Sequence, residues 1–356
     1  MKQVILFKTL CLGAALAFGT GTAEAADILD LPYQNMEMKT TKEEGTLVFS
    51  DSPEYVSEHG ILADGTIKGK GRIYYYHVNS TGDAARLVVY AENKTKLPAD
   101  LEVTKFLQGA PSLDYVTSGA TLSFNEMVSV RQKHVPITLA PGERRVIAEE
   151  DASGLLPDYL YTGLVEVDAP KTPLHFGTAL LPMSDEETLA ESLKAAKPVA
   201  VDEHEMRGTY PMAIYKENKK VWDIDKDGPT ALVYGSDESH DFAGGTDELD
   251  RTMRENTGNY GITVYMTVKN KGTKPFHIYF NPLGGVYLGA FKISQGYSPS
   301  YFRTDDMKYR GRWLGDNTVY DYIDTGIWKP GKTVTIEFMA AGATYLPVRF
   351  LFVPEA

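Results

Sequence analysis

Several stretches of this sequence carry residue types that could do chemistry. Asp223-Ile224-Asp225-Lys226-Asp227-Gly228 places three carboxylates on alternate residues ahead of a glycine, the front half of a calcium loop. A hard cation needs several oxygen ligands converging at about 2.4 Å, and Asp223, Asp225 and Asp227 have the spacing to wrap one. The twelfth position of such a loop is Tyr234, so the usual bidentate glutamate is missing and Asp237 or Glu238 would have to reach in. The plainer reading is an acidic turn before a strand starting at Thr230. Calcium is the one cofactor the sequence suggests, and none is required.

A second stretch, Tyr297 to Trp313, mixes Tyr297, Tyr301, Phe302, Tyr309 and Trp313 with Arg303, Arg310 and Arg312. Rings with arginine are the composition of binding hot spots. The expected ligand contacts are Tyr297, Tyr301, Arg310, Arg312 and Trp313; the competing expectation is that half the rings are core. Gly326-Ile327-Trp328-Lys329-Pro330-Gly331-Lys332-Thr333 matches the P-loop pattern letter for letter. A phosphate loop must lead into a helix, but Thr333 to Phe338 alternates like a strand, so a turn is expected. His204 and His240 sit among acids without a metal spacing. Gly296-Tyr297-Ser298 lacks the second glycine of a nucleophile elbow. No catalytic residue is nominated.

The elements that must position these residues are strands. Ile262, Val264, Met266 and Val268 alternate with Thr263, Tyr265 and Thr267, and Asn270-Lys271-Gly272 then turns the chain towards Phe276. Ile73 to Val78 leads likewise through Asn79-Ser80-Thr81-Gly82 into Leu87 to Tyr90. Both read as hairpins. Ser184-Asp185-Glu186-Glu187 is a capping box that opens a helix running to about Lys197. A second helix is expected over Asp247 to Asn256, capped by Thr246.

Five anchors recur in order at offsets between 185 and 189: Leu47–Ser52 with Leu232–Asp237, Lys105–Gly109 with Lys292–Gly296, Pro111-Ser112 with Pro299-Ser300, Ala140–Glu143 with Lys329–Lys332, and Tyr159–Val167 with Tyr345–Val353. This predicts a tandem duplication. The strand-Asn-x-Gly-strand pattern, followed by Pro-Gly and another strand, resembles bacterial immunoglobulin-like β-sandwich modules. The segments concerned are Val78–Leu87 with Thr138–Val146, and Val268–Phe276 with Ile327–Val334. The resemblance implies a surface or envelope protein used for spacing, assembly or ligand contact, with no catalytic residues.

Residues 1–25 read as a secretory signal: Lys2 and Lys8, an apolar run from Leu10 to Phe18, and Ala23-Glu24-Ala25 as the cleavage site before Ala26. The apolar run is shorter than the roughly 18 to 20 residues a membrane span needs. Cys11, the only cysteine, lies inside this run, so thiol chemistry is not expected of the mature chain. The mature part carries 34 basic and 47 acidic residues, which argues against nucleic acid or anionic lipid as partner. The expectation is an all-β chain of two tandem immunoglobulin-like β-sandwich domains, 26–183 and 209–356, joined by a helical linker at 184–208. It is read as a non-enzymatic protein, periplasmic or extracellular, with a protein or glycan partner at the cell envelope, acting in binding, adhesion or assembly. The alternative is an extracellular carbohydrate-active enzyme or its accessory module.

Overall fold

Period-two alternation builds most of the chain. The computed structural model describes residues 27–129, 134–149, 154–236, 241–283, 285–304, 314–315, 320–342 and 344–355. The expected signal segment and Cys11 lie outside them. Residues 27–32 belong to a small separate unit. In it a single 3-10 turn, Ile28–Asp30, is capped by the Asp27 side chain.

The second unit, Tyr33–Ala356, begins with strands β1 (Gln34–Asn35), β2 (Met38–Ser50), β3 (Tyr55–Val56), β4 (Gly60–Asn79), β5 (Ala85–Glu92) and β6 (Ala99–Gln108). Helix α1 (Tyr115–Val128) follows, then β7 (Val135–Leu139), β8 (Arg144–Ala148), β9 (Leu160–Pro182) and helix α2 (Glu186–Ala195). The remainder is β10 (Gly208–Asn218), β11 (Trp222–Asp223), a one-turn helix α3 (Ile224–Asp227), β12 (Thr230–Tyr234), β13 (Ala243–Asp247), β14 (Thr252–Asn256), β15 (Thr263–Val268) and β16 (Asn270–Lys271). It ends with β17 (Phe276–Pro282), β18 (Ala290–Ser294), β19 (Pro299–Arg303), β20 (Ile323–Trp328), β21 (Val334–Phe338) and β22 (Val348–Pro354). The chain is all-β in class, as expected.

One sheet runs β1-β12-β22-β17-β20, and a larger one runs β19-β18-β21-β15-β10-β2-β4-β9-β5-β8. The two stack face to face over the second half of the chain. Phe276, Ile278, Phe280, Phe350 and Phe352 from the first meet Val264, Met266, Phe291, Ile293 and Phe338 from the second, all within 1 % of full burial. The Phe280 ring lies 4.7 Å from that of Phe291, itself 5.4 Å from Phe350. Burying each such ring is worth about 1.5–3 kcal/mol, so this aromatic layer defines the sandwich. The first half surrounds a second core that includes Val48, Ile73, Leu101, Val165, Phe176 and Leu180. Strand β9 makes this core possible. It pairs with β4 along its whole length, with β6 along its first part and with β5 along its second, and bulges let the sheet bend.

The two halves share the larger sheet. β10 runs antiparallel to β2 from Gly208 opposite Phe49 to Asn218 opposite Met38, and parallel to β15 on its other side. The halves do not repeat one pairing scheme. By the anchors β12 corresponds to β2 and β22 to β9, yet β12 pairs directly with β22 while β4 lies between β2 and β9. The sheets therefore give the two anchored segments different strand orders.

The Asn79–Gly82 turn forms where expected, with Asn79 Oδ1 accepting from Thr81 N at 3.0 Å, whereas Asn270–Lys271 is the short strand β16, paired with β11. Neither segment closes a hairpin, because β9 inserts between β4 and β5, while β15 and β17 belong to different sheets. The linker helix α2 is present, capped one residue later than expected: Asp185, not Ser184, accepts from Thr188 N at 2.9 Å. Over 247–256 the structure has the β13–β14 hairpin and not a helix, with five paired residues and Arg251 at φ 65 in the turn. β-branched Thr246 and Thr252 beside Gly244-Gly245 favour that outcome. Helix α1 was not expected. Asp114 caps it through Thr117 N, and Gly119, Ala120, Leu122, Ser123, Glu126 and Met127 form its buried face.

Candidate functional site

The seam between the halves opens into a cleft of about 290 Å³. The end of β2 supplies Phe49 and, just beyond, Asp51 and Glu54; β4 supplies Tyr74 and Tyr76. The segment before β10 contributes His204 and Met206. The β14–β15 loop adds Thr257 and Tyr260, and the β21–β22 loop adds Gly342, Thr344 and Tyr345. Period two explains the β4 contribution, since Tyr74 and Tyr76 share a face while Tyr75 points into the first-half core.

Packing fixes most of the rings. Phe49 stacks on Tyr260 at 6.2 Å and lies 5.8 Å from Tyr74. Tyr260 Oη donates to the Thr344 carbonyl at 2.8 Å, which ties the two loops together. Tyr345 is 63 % exposed, so its ring is free to meet a ligand. Gly342 is required: a Cβ there would lie 2.5 Å from the Tyr76 ring, and the Gly119 Cβ position lies 2.4 Å from the Gly342 carbonyl. Glycine at both positions lets α1 close against the cleft wall.

Packing pushes the Asp51 carboxyl well above the usual carboxylate range, and the neighbouring Glu54 and Asp202 push it further. Burial raises Glu54 too. Asp202 goes the other way. Burial opposes its ionisation, but the Ser52 hydroxyl and the Glu54 and His204 backbone N–H groups donate to it and hold it below the ordinary value. The cleft thus brings two weakly acidic carboxyls beside an ionised one.

Behind this wall lies a chain of buried hydroxyls. His77 Nδ1 donates to the Pro53 carbonyl at 2.8 Å, so Nε2 accepts from Ser50 Oγ at 2.7 Å, and Ser50 Oγ in turn lies 2.6 Å from Thr178 Oγ1. Ser50, His77 and Thr178 are all 0 % exposed. A serine beside a histidine suggests a nucleophile and its base, but no substrate reaches a pair so enclosed, and its role is structural.

The sequence-selected residues lie elsewhere. Tyr297 is fully exposed and Tyr301 is 45 % exposed, on the β18–β19 hairpin. Their neighbours are structural: Phe302 stacks on Phe291 at 5.2 Å, and the Arg303 guanidinium lies over the Phe124 ring at 4.5 Å. Arg310, Arg312 and Trp313 lie outside the described residues, as do Asp237, Glu238 and His240.

The three aspartates do not converge. Asp225 accepts from Thr273 N and Lys274 N at 3.0–3.2 Å; Asp227 folds back on Asp223 N at 2.8 Å; Asp223 faces Lys226 and Lys271. The P-loop lookalike is a turn between β20 and β21, with Gly331 N donating to Asn270 Oδ1 at 2.8 Å. No single stretch of sequence marks the cleft, since its lining comes from five separated segments. The signals that were available are the acid pair after β2 and His204 between two acids.

The fold and the cleft define an all-β protein with two large sheets and an open cleft at the seam of its halves. No protein-family model matches the chain, and no curated protein matches it. Among solved structures, the CUB1-EGF-CUB2 domain of human MASP-1/3 is 7 % identical, with 82 % of this chain and 99 % of that chain covered, at a TM-score of 0.21. The tandem CBM22 domain of Paenibacillus barcinonensis Xyn10C is also 7 % identical, with 89 % and 93 % covered, at a TM-score of 0.17. Scores this low mark no shared fold. Among the described residues, no helix is long and apolar enough to cross a membrane.

Proposed function

We propose that this chain is an exported envelope protein that binds a glycan in the cleft lined by Phe49, Tyr74, Tyr76, Tyr260 and Tyr345. The immunoglobulin-like kinship and the signal-directed export belong to the same proposal. The supporting observation is that one cleft is lined both by these rings and by Asp51, Glu54 and His204. Ligand sites combine apolar walls with a few placed polar groups, commonly within ~300–1,000 Å³, and this cleft falls at the small end. Rings accept the apolar faces of a sugar, and carboxyls accept its hydroxyl donors. The acidic net charge of the chain, −12, favours a neutral ligand over a polyanionic one.

A glycan array probed with the full chain tests this directly. Tyr345→Ala should weaken the binding found by about 2 kcal/mol, a hot-spot loss, and leave the melting temperature in place, because the ring is mostly exposed. Binding unaffected by Tyr345→Ala, or no glycan bound at all, would refute the cleft.

Asp51 and Glu54 favour a second reading, acid–base catalysis on the same ligand class, because raised carboxyls in a cleft are what a general acid requires. In that case Asp51→Asn would stop turnover of the bound glycan while leaving it bound.

A further inference from the structure

A second cluster stands apart from the cleft. Asp64 on β4, His175 on β9 and Glu248 in the β13–β14 turn each aim one ligand atom into a common space, with those atoms all within 4.8 Å of one another. Asp64 is 7 % exposed. Each carboxylate is braced from outside. Tyr90 Oη donates to Asp64 Oδ2 at 2.7 Å, while Thr66 N and Thr66 Oγ1 donate to the two oxygens of Glu248 at 2.7 and 2.8 Å. Outer partners of this kind orient ligands at metal sites.

The charges point the same way. His175 Nδ1 lies 2.7 Å from Asp64 Oδ1 and 3.1 Å from Lys94 Nζ. A carboxylate only accepts, so in the neutral ring Nδ1–H donates to Asp64 and the Lys94 ammonium meets it donor to donor. Positive charge is thus already drawn to this point: Lys94 Nζ lies 3.7 Å from Asp64 Oδ1, on a side chain that is 48 % exposed and able to swing into solvent.

We propose that Asp64, His175 and Glu248 form a binding site for a divalent transition metal of the zinc type, which displaces the Lys94 ammonium. One imidazole with two carboxylates suits such a borderline ion and leaves an open position for water. Glu248 comes from the second half of the chain and the other two ligands from the first, so the metal pins the β13–β14 hairpin to β4 and β9.

Calorimetric titration of the full, EDTA-stripped chain with zinc chloride is the test. The expected result is one site per chain, lost in His175→Gln and in Glu248→Gln. Lys94→Ala should bind at least about tenfold more tightly, since a like charge 3.7 Å from the Asp64 ligand oxygen has been removed. The Glu248 variant alters only a surface turn, so it stays informative if the His175 variant misfolds. Absence of binding in both wild type and Lys94→Ala would overturn the proposal, as would zinc binding unchanged in Glu248→Gln.

Discussion

Arg72→Ala should cost about 3–5 kcal/mol of stability, the loss expected when one partner of a buried ion network is removed. Arg72 lies on β4 and is 2 % exposed. Its Nη2 group meets Glu126 of α1 at 2.9 Å and Glu166 of β9 at 2.7 Å. Its Nη1 group donates to the Gly261 carbonyl at 2.8 Å and to Thr263 Oγ1 at 3.0 Å, at the start of β15. The guanidinium therefore satisfies groups from both halves. Without it Glu126 keeps, among the described residues, only Lys105, 3.5 Å away, as a cationic partner, and Glu166 loses the largest of the charges that offset its burial. Urea unfolding measures the effect. One shared transition should move to lower urea; a change below about 1 kcal/mol would mean the network contributes little.

The second large effect depends on pH. Burial depresses His77 to about 4, against the raising influence of the Pro53 carbonyl it donates to. The unfolded imidazole titrates near 6.5, so between these values the unfolded chain binds the extra proton. Stability from the neutral, buried ring is complete above pH ~6.5 and falls as pH drops through about 4, by roughly 3 kcal/mol in all. Asp51 and Glu54 act in the opposite sense, because their raised values favour folding as pH falls. The comparison that isolates His77 is therefore with His77→Gln, which carries no titrating ring. Its unfolding free energy should decline less between pH 7 and 4 than that of wild type. Parallel curves for the two proteins would contradict the assignment.

Much of the strand content was legible because period two is local: Val264, Met266 and Val268 show their buried face without reference to a partner. The α2 helix was legible for the same reason, since its cap and first turn are neighbours in sequence. Helix α1 could have been read from Asp114 and the three- and four-residue spacing of Ala120, Ser123 and Met127, but its Thr, Ser and Gly content disguised it. Partner choice was not legible. Which strand lies between β4 and β5, and that β10 would join β2, depend on pairings between residues 83 to 180 apart in sequence. The cleft was hidden likewise, because Phe49, His204, Tyr260 and Tyr345 become neighbours only through those pairings. Clusters compact in sequence drew attention instead. Asp223, Asp225 and Asp227 prove to be three separate turn contacts, and Tyr297 and Tyr301 lie on a hairpin away from the cleft.

The proposed binding of a ligand at the seam cleft can be checked by one paired titration. With whichever glycan the full chain retains, affinities are measured for Tyr345→Ala in the cleft and for Tyr297→Ala on the β18–β19 hairpin, two exposed tyrosines whose loss should leave the fold intact. A loss of about thirtyfold for Tyr345→Ala with Tyr297→Ala unchanged is the predicted result; the reverse pattern would place the binding surface on the hairpin and contradict the account.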